Sequence, residues 1–221
     1  MAKSIAIDGP AGAGKSTIAK LVAKQLGFIY VDTGAMYRAM ALFLIRNGID
    51  KDDTDGIEKA CELADITITH TEGKQVVLLM GEDVNAYLRT EEVGNMASAS
   101  SVNAKVRKKL VALQQKLAEH EDVVMDGRDI GTVVLPNSKC KIYLTASVDV
   151  RAKRRYDELT EKGQSADLDK IKADISERDQ RDMTRDNSPL KQADDAILID
   201  SSDMTIEEVK DAIISIAKER L

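Results

Sequence analysis

Residues 4–26 read SIAIDGPAGAGKSTIAKLVAKQL, and this stretch decides the fold. Its first part, Ser4–Asp8, is short and apolar, as a buried strand is. Gly9–Ser16 then fits the pattern G-x-x-x-x-G-K-[ST], and apolar residues recur at helical spacing as far as Leu26. Glycines let the backbone approach phosphate oxygens closely, and the start of a helix adds a partial positive charge. A strand, a glycine-rich turn and a helix in this order predict a nucleoside-triphosphate site.

Two side chains of this loop have separate expected tasks. Lys15 is expected to contact the β- and γ-phosphates as a point charge, and the Ser16 hydroxyl suits Mg²⁺. The residues predicted to bind the triphosphate are Gly9, Pro10, Ala11, Gly12, Ala13, Gly14, Lys15, Ser16 and Thr17.

The composition is that of an ordinary α/β protein. The chain has 221 residues, 43% of them hydrophobic and 32% charged, which suits one domain with a proper core. It contains no run of 18 apolar residues, and its start leads directly into the first strand, so we expect neither a membrane span nor a signal peptide. Cys61 and Cys140 lack metal or redox spacing, so we expect both to be reduced and structural in a cytoplasmic protein.

The charge balance narrows the class of ligand. Lys and Arg number 32 against 38 Asp and Glu, giving a net charge of −6. General nucleic-acid binding is therefore disfavoured. An acidic protein that binds polyphosphate must gather its positive charge locally, so clusters of arginine are informative here.

Further apolar runs extend the first unit into a sheet. Strands are predicted at 28–31, 122–126, 141–145 and 196–200, and helices at about 35–46, 90–98, 103–120 and 205–221. Five short strands alternating with helices predict a parallel sheet covered on both faces. Ligands then bind at the carboxyl ends of the strands, where Gly9, Thr33, Arg128 and Thr145 fall.

A different pattern occupies residues 65–88. Three short strands are predicted at 66–70, 75–80 and 84–88, with turns at 71–74 and 81–83. We expect a small antiparallel sheet inserted into the α/β unit.

Single charges in apolar surroundings mark further candidates. Arg38 is the only charge between Ala35 and Ile45, and it needs an anion, which could be a nearby aspartate or a substrate phosphate. Thr33 lies at the same strand–helix junction. Asp126 ends a buried strand and could hold Mg²⁺ directly or through water, although strand-end aspartates also form turns.

Residues 149–195 are dense in charge. Arg151, Arg154 and Arg155 share a helical face, which could bind phosphate or could pair with Glu158 and Glu161 in solvent. A mobile, charged segment folding over the reactants would exclude water and so prevent hydrolysis.

The helix predicted at 167–185 changes character along its length. Leu168, Ile171 and Ile175 form an apolar stripe, which we expect to pack inward. The same spacing continues at Arg178, Asp182 and Arg185. Charges on such a face suit phosphates and a ribose hydroxyl, and exposure at a fraying helix end is the alternative.

The motifs, taken together, resemble the bacterial cytidylate kinase family. The resemblance runs nearly end to end and rests on residues 8–16, Asp32-Thr-Gly-Ala-Met-Tyr-Arg38, Arg89-Thr-Glu-Glu-Val93, Asp126-Gly-Arg-Asp-Ile-Gly-Thr132 and Arg178-Asp-x-x-Asp182-x-x-Arg185. It implies a P-loop kinase that converts ATP and CMP or dCMP to ADP and CDP or dCDP with Mg²⁺, for which Ser16 and Asp126 are the predicted ligands.

The resemblance also implies roles for individual residues. Thr33, Arg38 and Arg128 would hold the CMP phosphate, and Ser98, Arg107 and Asp129 would read the cytosine edge. Arg178 and Asp182 would meet the ribose, with Arg185 near the phosphates. Catalysis would be electrostatic, through Lys15, Arg128, Arg185 and one or both of Arg154 and Arg155.

The same resemblance divides the single domain into regions. The core would be 1–34, 120–148 and 187–221, the monophosphate-binding region about 35–119 and the lid about 149–166. We expect a cytoplasmic monomer. Another small-molecule kinase with a different acceptor is the main alternative. A GTPase switch is disfavoured, because the chain has no Asn-Lys-x-Asp run for guanine.

Overall fold

Five parallel strands form the central sheet, in the order β2-β6-β1-β7-β8 when all strands are numbered along the chain. They are β1 Ser4–Asp8, β2 Ile29–Asp32, β6 Val123–Gly127, β7 Cys140–Thr145 and β8 Ile197–Asp200. The coordinates are a computed structural model describing residues 2–71 and 74–221. The predicted parallel sheet is confirmed.

Eight α-helices surround the sheets in the described part of the chain. They are α1 Lys15–Leu26, α2 Thr33–Arg46, α3 Thr54–Leu63, α4 Glu91–Ser100, α5 Ala104–His120, α6 Val148–Glu161, α7 Leu168–Thr184 and α8 Ile206–Arg220. A π-helical turn covers Ile130–Val134. No helix among the described residues has the length and apolar character needed to cross a membrane.

Alternation along β1 explains why the sheet is buried on both faces. Ile5 and Ile7 pack with α1 and α8 in one cluster, whereas Ala6 faces a second cluster with Val31 and Met125. A third cluster contains residues of the helices α2, α3, α4 and α5 and of the small antiparallel sheet. The central sheet and the region from α2 to α5 therefore have separate hydrophobic cores.

The register of the sheet brings the important residues together. Asp8 lies opposite Gly127 of β6 and Tyr143 of β7, and Asp32 lies opposite Asp126. The carboxyl ends of β1, β2 and β6 therefore meet at one edge, as the sequence predicts.

The inserted sheet is confirmed, but one of its strands was predicted wrongly. Its strands are β3 Ile66–Thr71, β4 Lys74–Leu79 and β5 Glu82–Asp83, all antiparallel. The predicted strand at 84–88 is a turn, in which the Tyr87 amide donates to the Val84 carbonyl at 2.9 Å. Val84 and Leu88 are buried but Ala86 between them is exposed, whereas the alternation of a strand would place all three on one buried face.

The turns of the insert also differ from the prediction. The chain reverses at Met80 and Gly81, both with positive φ, instead of at 81–83. Two successive positive φ values suit a tight hairpin. The other predicted turn, at 71–74, depends on residues 72 and 73 and lies outside the described residues.

Two further elements were not foreseen. The α3 helix has an Asp53 cap and buried Ile57, Ala60 and Cys61 at helical spacing, so its signal was present in the sequence. The 130–134 turn carries no such pattern.

Candidate functional site

The glycine-rich loop ends in a helix whose first N–H groups have no side-chain cap. Gly14 precedes α1 in the left-handed conformation, with φ 82°, and makes no side-chain cap bond. Each of the other seven described α-helices has a side chain at its start that accepts a backbone N–H. Because helix-start amides need an acceptor, the exception at α1 leaves them for an anion.

Gly9 is fixed by contact with the sheet. A Cβ atom at this position would lie 1.9 Å from the Leu144 carbonyl oxygen, and φ is +148°. Only glycine fits this approach of the loop to β7.

Lys15 is buried at the start of α1. Its Nζ donates to the Pro10 carbonyl at 2.6 Å, so the ammonium folds back over its own loop. Burial lowers the pKa of Lys15, and the neighbouring Arg128 adds to the effect, against the attraction of Asp126 and Asp8. An incoming polyanion would restore the charge balance around this ammonium.

Asp126 has both carboxylate oxygens engaged by hydroxyl groups. Ser16 Oγ and Tyr30 Oη each donate to it at 2.8 Å, and Thr33 Oγ1 donates to its main-chain carbonyl at 2.7 Å. Burial and then the nearby Asp32 raise the pKa of Asp126. Within the described residues, no group of three or more His, Cys, Asp or Glu side chains could hold a metal ion. A hydroxyl and a carboxylate in contact nevertheless suit Mg²⁺ that arrives with phosphates, because this ion keeps few protein ligands.

Arginines gather across the cleft from the glycine loop. Arg38 NH2 pairs with Asp32 at 3.0 Å, so the aspartate alternative weighed for this residue is realised, and its Nε is buried without a partner in the described structure. Arg128 Nε donates to Asp182 at 2.8 Å. Burial opposes ionisation of Asp182, but Arg128 and then Arg178 outweigh it and lower its pKa.

A buried ion pair forms the inner end of the cleft. Arg107 NH2 pairs with Asp129 Oδ2, with side-chain exposures of 6% and 7%. Arg185 NH2 lies 3.9 Å from Asp129 Oδ1, and Ser98 lines the same cavity. Arg107 Nε and Arg185 NH2 have no hydrogen-bond partner among the described residues, and both are buried.

The three arginines of α6, at positions 151, 154 and 155, differ in burial and in their hydrogen-bond partners. Arg154 NH2 donates to the Ser201 carbonyl at 2.7 Å, and Arg155 pairs with Glu158 at 2.8 Å, as the self-paired alternative predicts. Arg151 is buried, and it donates to the Ala11 carbonyl at 2.8 Å and pairs with Asp179 at 2.6 Å. It therefore ties the glycine loop to α6 and α7.

The stripe on α7 does not pack inward as expected. Leu168 is 41% exposed, and Ile171 and Ile175 are only half-buried. The buried end of this helix is the charged one, at Asp182, because α7 packs on α6 and its C-terminal end enters the cleft.

One cavity of about 770 Å³ joins these groups. It is lined by every residue predicted for the site except Gly9 and Pro10. It also includes residues that the sequence analysis did not assign to the site, among them Asp32, Tyr37, Arg89, Arg151, Ser201, Met204, Ile206 and Val209. Arg89 belongs to one of the motifs on which the family resemblance rests. Ser201, Met204, Ile206 and Val209 lie where the chain passes from β8 into α8, and no sequence motif marks them.

The Arg107–Asp129 pair gives a prediction for stability. Asp129→Ala should lower the free energy of unfolding by about 3–5 kcal/mol, because it leaves a buried guanidinium without its counter-charge. The double variant Arg107→Met/Asp129→Leu should recover most of that loss. Urea unfolding at pH 7 measures both, with Glu82→Ala at the exposed pair to Arg46 as the control. A single variant no less stable than this control would contradict the prediction.

Comparison with known proteins places the chain in context. Residues 5–219 match the protein-family model described as cytidylate kinase. The cytidylate kinase of Caldicellulosiruptor bescii is 51% identical, over 96% of this chain and 94% of the relative. That of Enterococcus faecalis is 49% identical, over 98% and 96%. An uncharacterized protein from Eubacterium ventriosum shares the fold with a TM-score of 0.52 over the whole of both chains, at 15% identity.

Proposed function

The chain belongs to the cytidylate kinase family, and we propose that the cleft described above carries out that family's reaction, transfer of the γ-phosphate of ATP to CMP or dCMP. One observation carries the assignment of the cleft. An uncapped helix start and a cluster of arginines face each other across a single cavity. Such a cavity suits two anionic groups held end to end.

The triphosphate occupies the glycine-rich loop. The free amides at the start of α1 bind phosphate oxygens, and Lys15 releases the Pro10 carbonyl to contact the β- and γ-phosphates. The apolar side chains of Met204, Ile206 and Val209 on the cavity wall suit the flat adenine ring.

Mg²⁺ fits the oxygen donors of Ser16 and Asp126. When bound, it supplies charge neutralisation for the phosphates. Tyr30 holds one oxygen of Asp126, which leaves Ser16 and the second oxygen for exchange with a ligand.

The acceptor phosphate occupies the arginine cluster. Arg38 and Arg128 bind it with Thr33, and Arg178 and Asp182 bind the ribose. The buried N–H groups of Arg38 and Arg185 that have no partner in the described chain are available as donors.

The reaction needs no general base. An oxygen of the CMP phosphate, already an anion, forms the new bond to the γ-phosphorus, and the bond from that phosphorus to the β–γ bridging oxygen breaks. The protein supplies position and positive charge, through Lys15, Arg128, Arg185 and the α6 residues Arg154 and Arg155.

Cytosine is recognised at the Arg107–Asp129 end of the cleft. The amino group of cytosine is a donor, and a carboxylate such as Asp129 accepts from it. Arg107 and Ser98 donate to the acceptors of the ring. Uracil presents an oxygen in place of the amino group and would leave the carboxylate facing an acceptor, which is unfavourable.

An assay of ADP release with ATP and Mg²⁺ across the common nucleoside monophosphates tests the proposal. CMP and dCMP should be used best, with kcat/KM for UMP lower by at least about tenfold, since one unpaired polar group costs 1–3 kcal/mol. Equal use of all monophosphates, or use of an alcohol instead, would contradict it. The lid at about 149–166, the core at 1–34, 120–148 and 187–221, the monophosphate region at about 35–119, the monomeric state and the cytoplasmic location stay predictions.

A further inference from the structure

Asp8 is a buried carboxylate to which the mechanism above gives no task. It ends β1 with 4% of its surface exposed. Its two oxygens accept from the Ile130 amide at 2.8 Å and from the Gly131 amide at 2.7 Å. A Cβ at Gly131 would lie 3.2 Å from Lys141 Cδ and 3.3 Å from Asp8 Oδ2, so the absence of a side chain leaves room for both Lys141 and the Asp8 carboxylate.

These two bonds cap the 130–134 turn from a distant part of the chain. The first amides of a helical turn need acceptors, and the residue just before the turn usually supplies one. Asp32, Asp53 and Asp167 each do so for their own helices. Asp129 stands in the same place before the 130–134 turn, yet its side chain makes no cap bond.

The carboxylate of Asp129 is used elsewhere. It pairs with Arg107 and lies near Arg185, inside the cavity. Asp8 satisfies the amides that Asp129 would otherwise cap, and so Asp129 is free to face the cleft.

The negative charge of Asp8 does not stabilise the folded protein. Burial raises its pKa from the ordinary 3.8 to about 6, against the hydrogen bonds from the Gly131 and Ile130 amides, with Asp129 adding to the rise and Lys15 opposing it. Because the folded-state pKa is the higher one, the stabilising contribution of this group is complete below 3.8 and is lost as pH rises through about 6. At neutral pH the ionised group is a cost to folding.

We infer that Asp8 is a positioning residue for base selectivity, which holds the 130–134 turn so that Asp129 points at the base instead of capping its own turn. This rests on the proposed function, since it assumes that Asp129 reads cytosine. The side chain of Asp8 does not itself touch a substrate.

The test is the selectivity of Asp8→Asn. Asparagine keeps the shape but has one acceptor oxygen, and its amide group would face the second backbone N–H. Asp129 then competes for the free amide and leaves Arg107. The ratio of kcat/KM for CMP over UMP should fall at least about tenfold, mainly through KM for CMP, because a donor loses its acceptor. The affinity for ATP should stay within about threefold.

Two further variants separate positioning from general loosening. Gly131→Ala places a methyl group 3.3 Å from Asp8 Oδ2, with the flexible Lys141 side chain at 3.2 Å, and should give the same loss of selectivity if Asp8→Asn does not fold. Ser138→Ala removes bonds of 2.7 and 3.2 Å to the Ser4 and Cys140 carbonyls at the opposite end of the sheet, and should leave selectivity unchanged.

The outcomes are distinguishable. A wild-type protein that does not prefer CMP refutes the proposed function itself. A selective wild type with an unchanged ratio in Asp8→Asn, or with an equal fall in Ser138→Ala, overturns the role of Asp8.

Discussion

Replacing Lys15 by methionine should lower kcat by about 10²–10³-fold while the protein stays folded. Methionine preserves most of the buried aliphatic stem but removes the ammonium. In the proposed site the ammonium would stabilise the negative charge that develops on the β–γ bridging oxygen as its bond to the γ-phosphorus breaks. Because burial already lowers the pKa of Lys15, loss of its charge should not destabilise the fold.

The control for this variant lies on the same helix. Lys24→Met changes an exposed lysine in the last turn of α1 and should leave kcat unchanged. Single-turnover kinetics with CMP and ATP separate the chemical step from product release. A Lys15→Met rate within a few-fold of wild type would remove Lys15 from the catalytic set.

Replacing Arg128 by methionine should lower kcat/KM for CMP by about 10²–10³-fold and leave the affinity for ATP nearly unchanged. Arg128 follows β6 directly and donates to Asp182 at 2.8 Å, and the proposed function places it between the acceptor phosphate and the ribose. The variant loses a hydrogen-bond donor to the phosphate oxygens and leaves Asp182 without its bond from Arg128. Arg178 and Arg185 remain near this carboxylate, so the fold should hold.

Initial rates at varied CMP, together with calorimetric ATP binding, measure the two effects separately. Arg46→Met is the matched control, since Arg46 pairs with Glu82 on the surface away from the cleft. Equal weakening of ATP and CMP would contradict the assignment of Arg128 to the acceptor side.

Much of the fold was predictable because its signals are local. Strand β1, the glycine turn and α1 are adjacent in sequence, and each has its own chemical signature. The parallel sheet follows from short apolar runs between helices, and its topology then brings Thr33, Asp126 and Arg128 to one edge. The helical spacing within α7 likewise places Arg178, Asp182 and Arg185 on one face, so their grouping was predictable from the sequence.

The features that were missed depend on distant contacts. The cap supplied by Asp8 to Ile130 joins residues 122 positions apart, and no local pattern marks it. Arg151 shares a helical face with its neighbours in sequence, but only tertiary structure shows that it is buried against Ala11 while Arg154 and Arg155 are exposed. The apolar residues of 84–88 predict a strand, and nothing local in the sequence indicates that Ala86 is exposed while Val84 and Leu88 are buried.

The central claim is that one cavity holds the triphosphate of ATP and the phosphate of CMP end to end. Titration with adenosine and cytidine joined through five phosphates tests it most directly, because the fifth phosphate spans the gap between the γ-phosphate and the CMP phosphate, which are in contact but not bonded. The account predicts one molecule bound per chain, at least about 100-fold more tightly than ATP, since one ligand engages both sites. Binding no tighter than that of ATP, or binding that still leaves room for CMP, would contradict it.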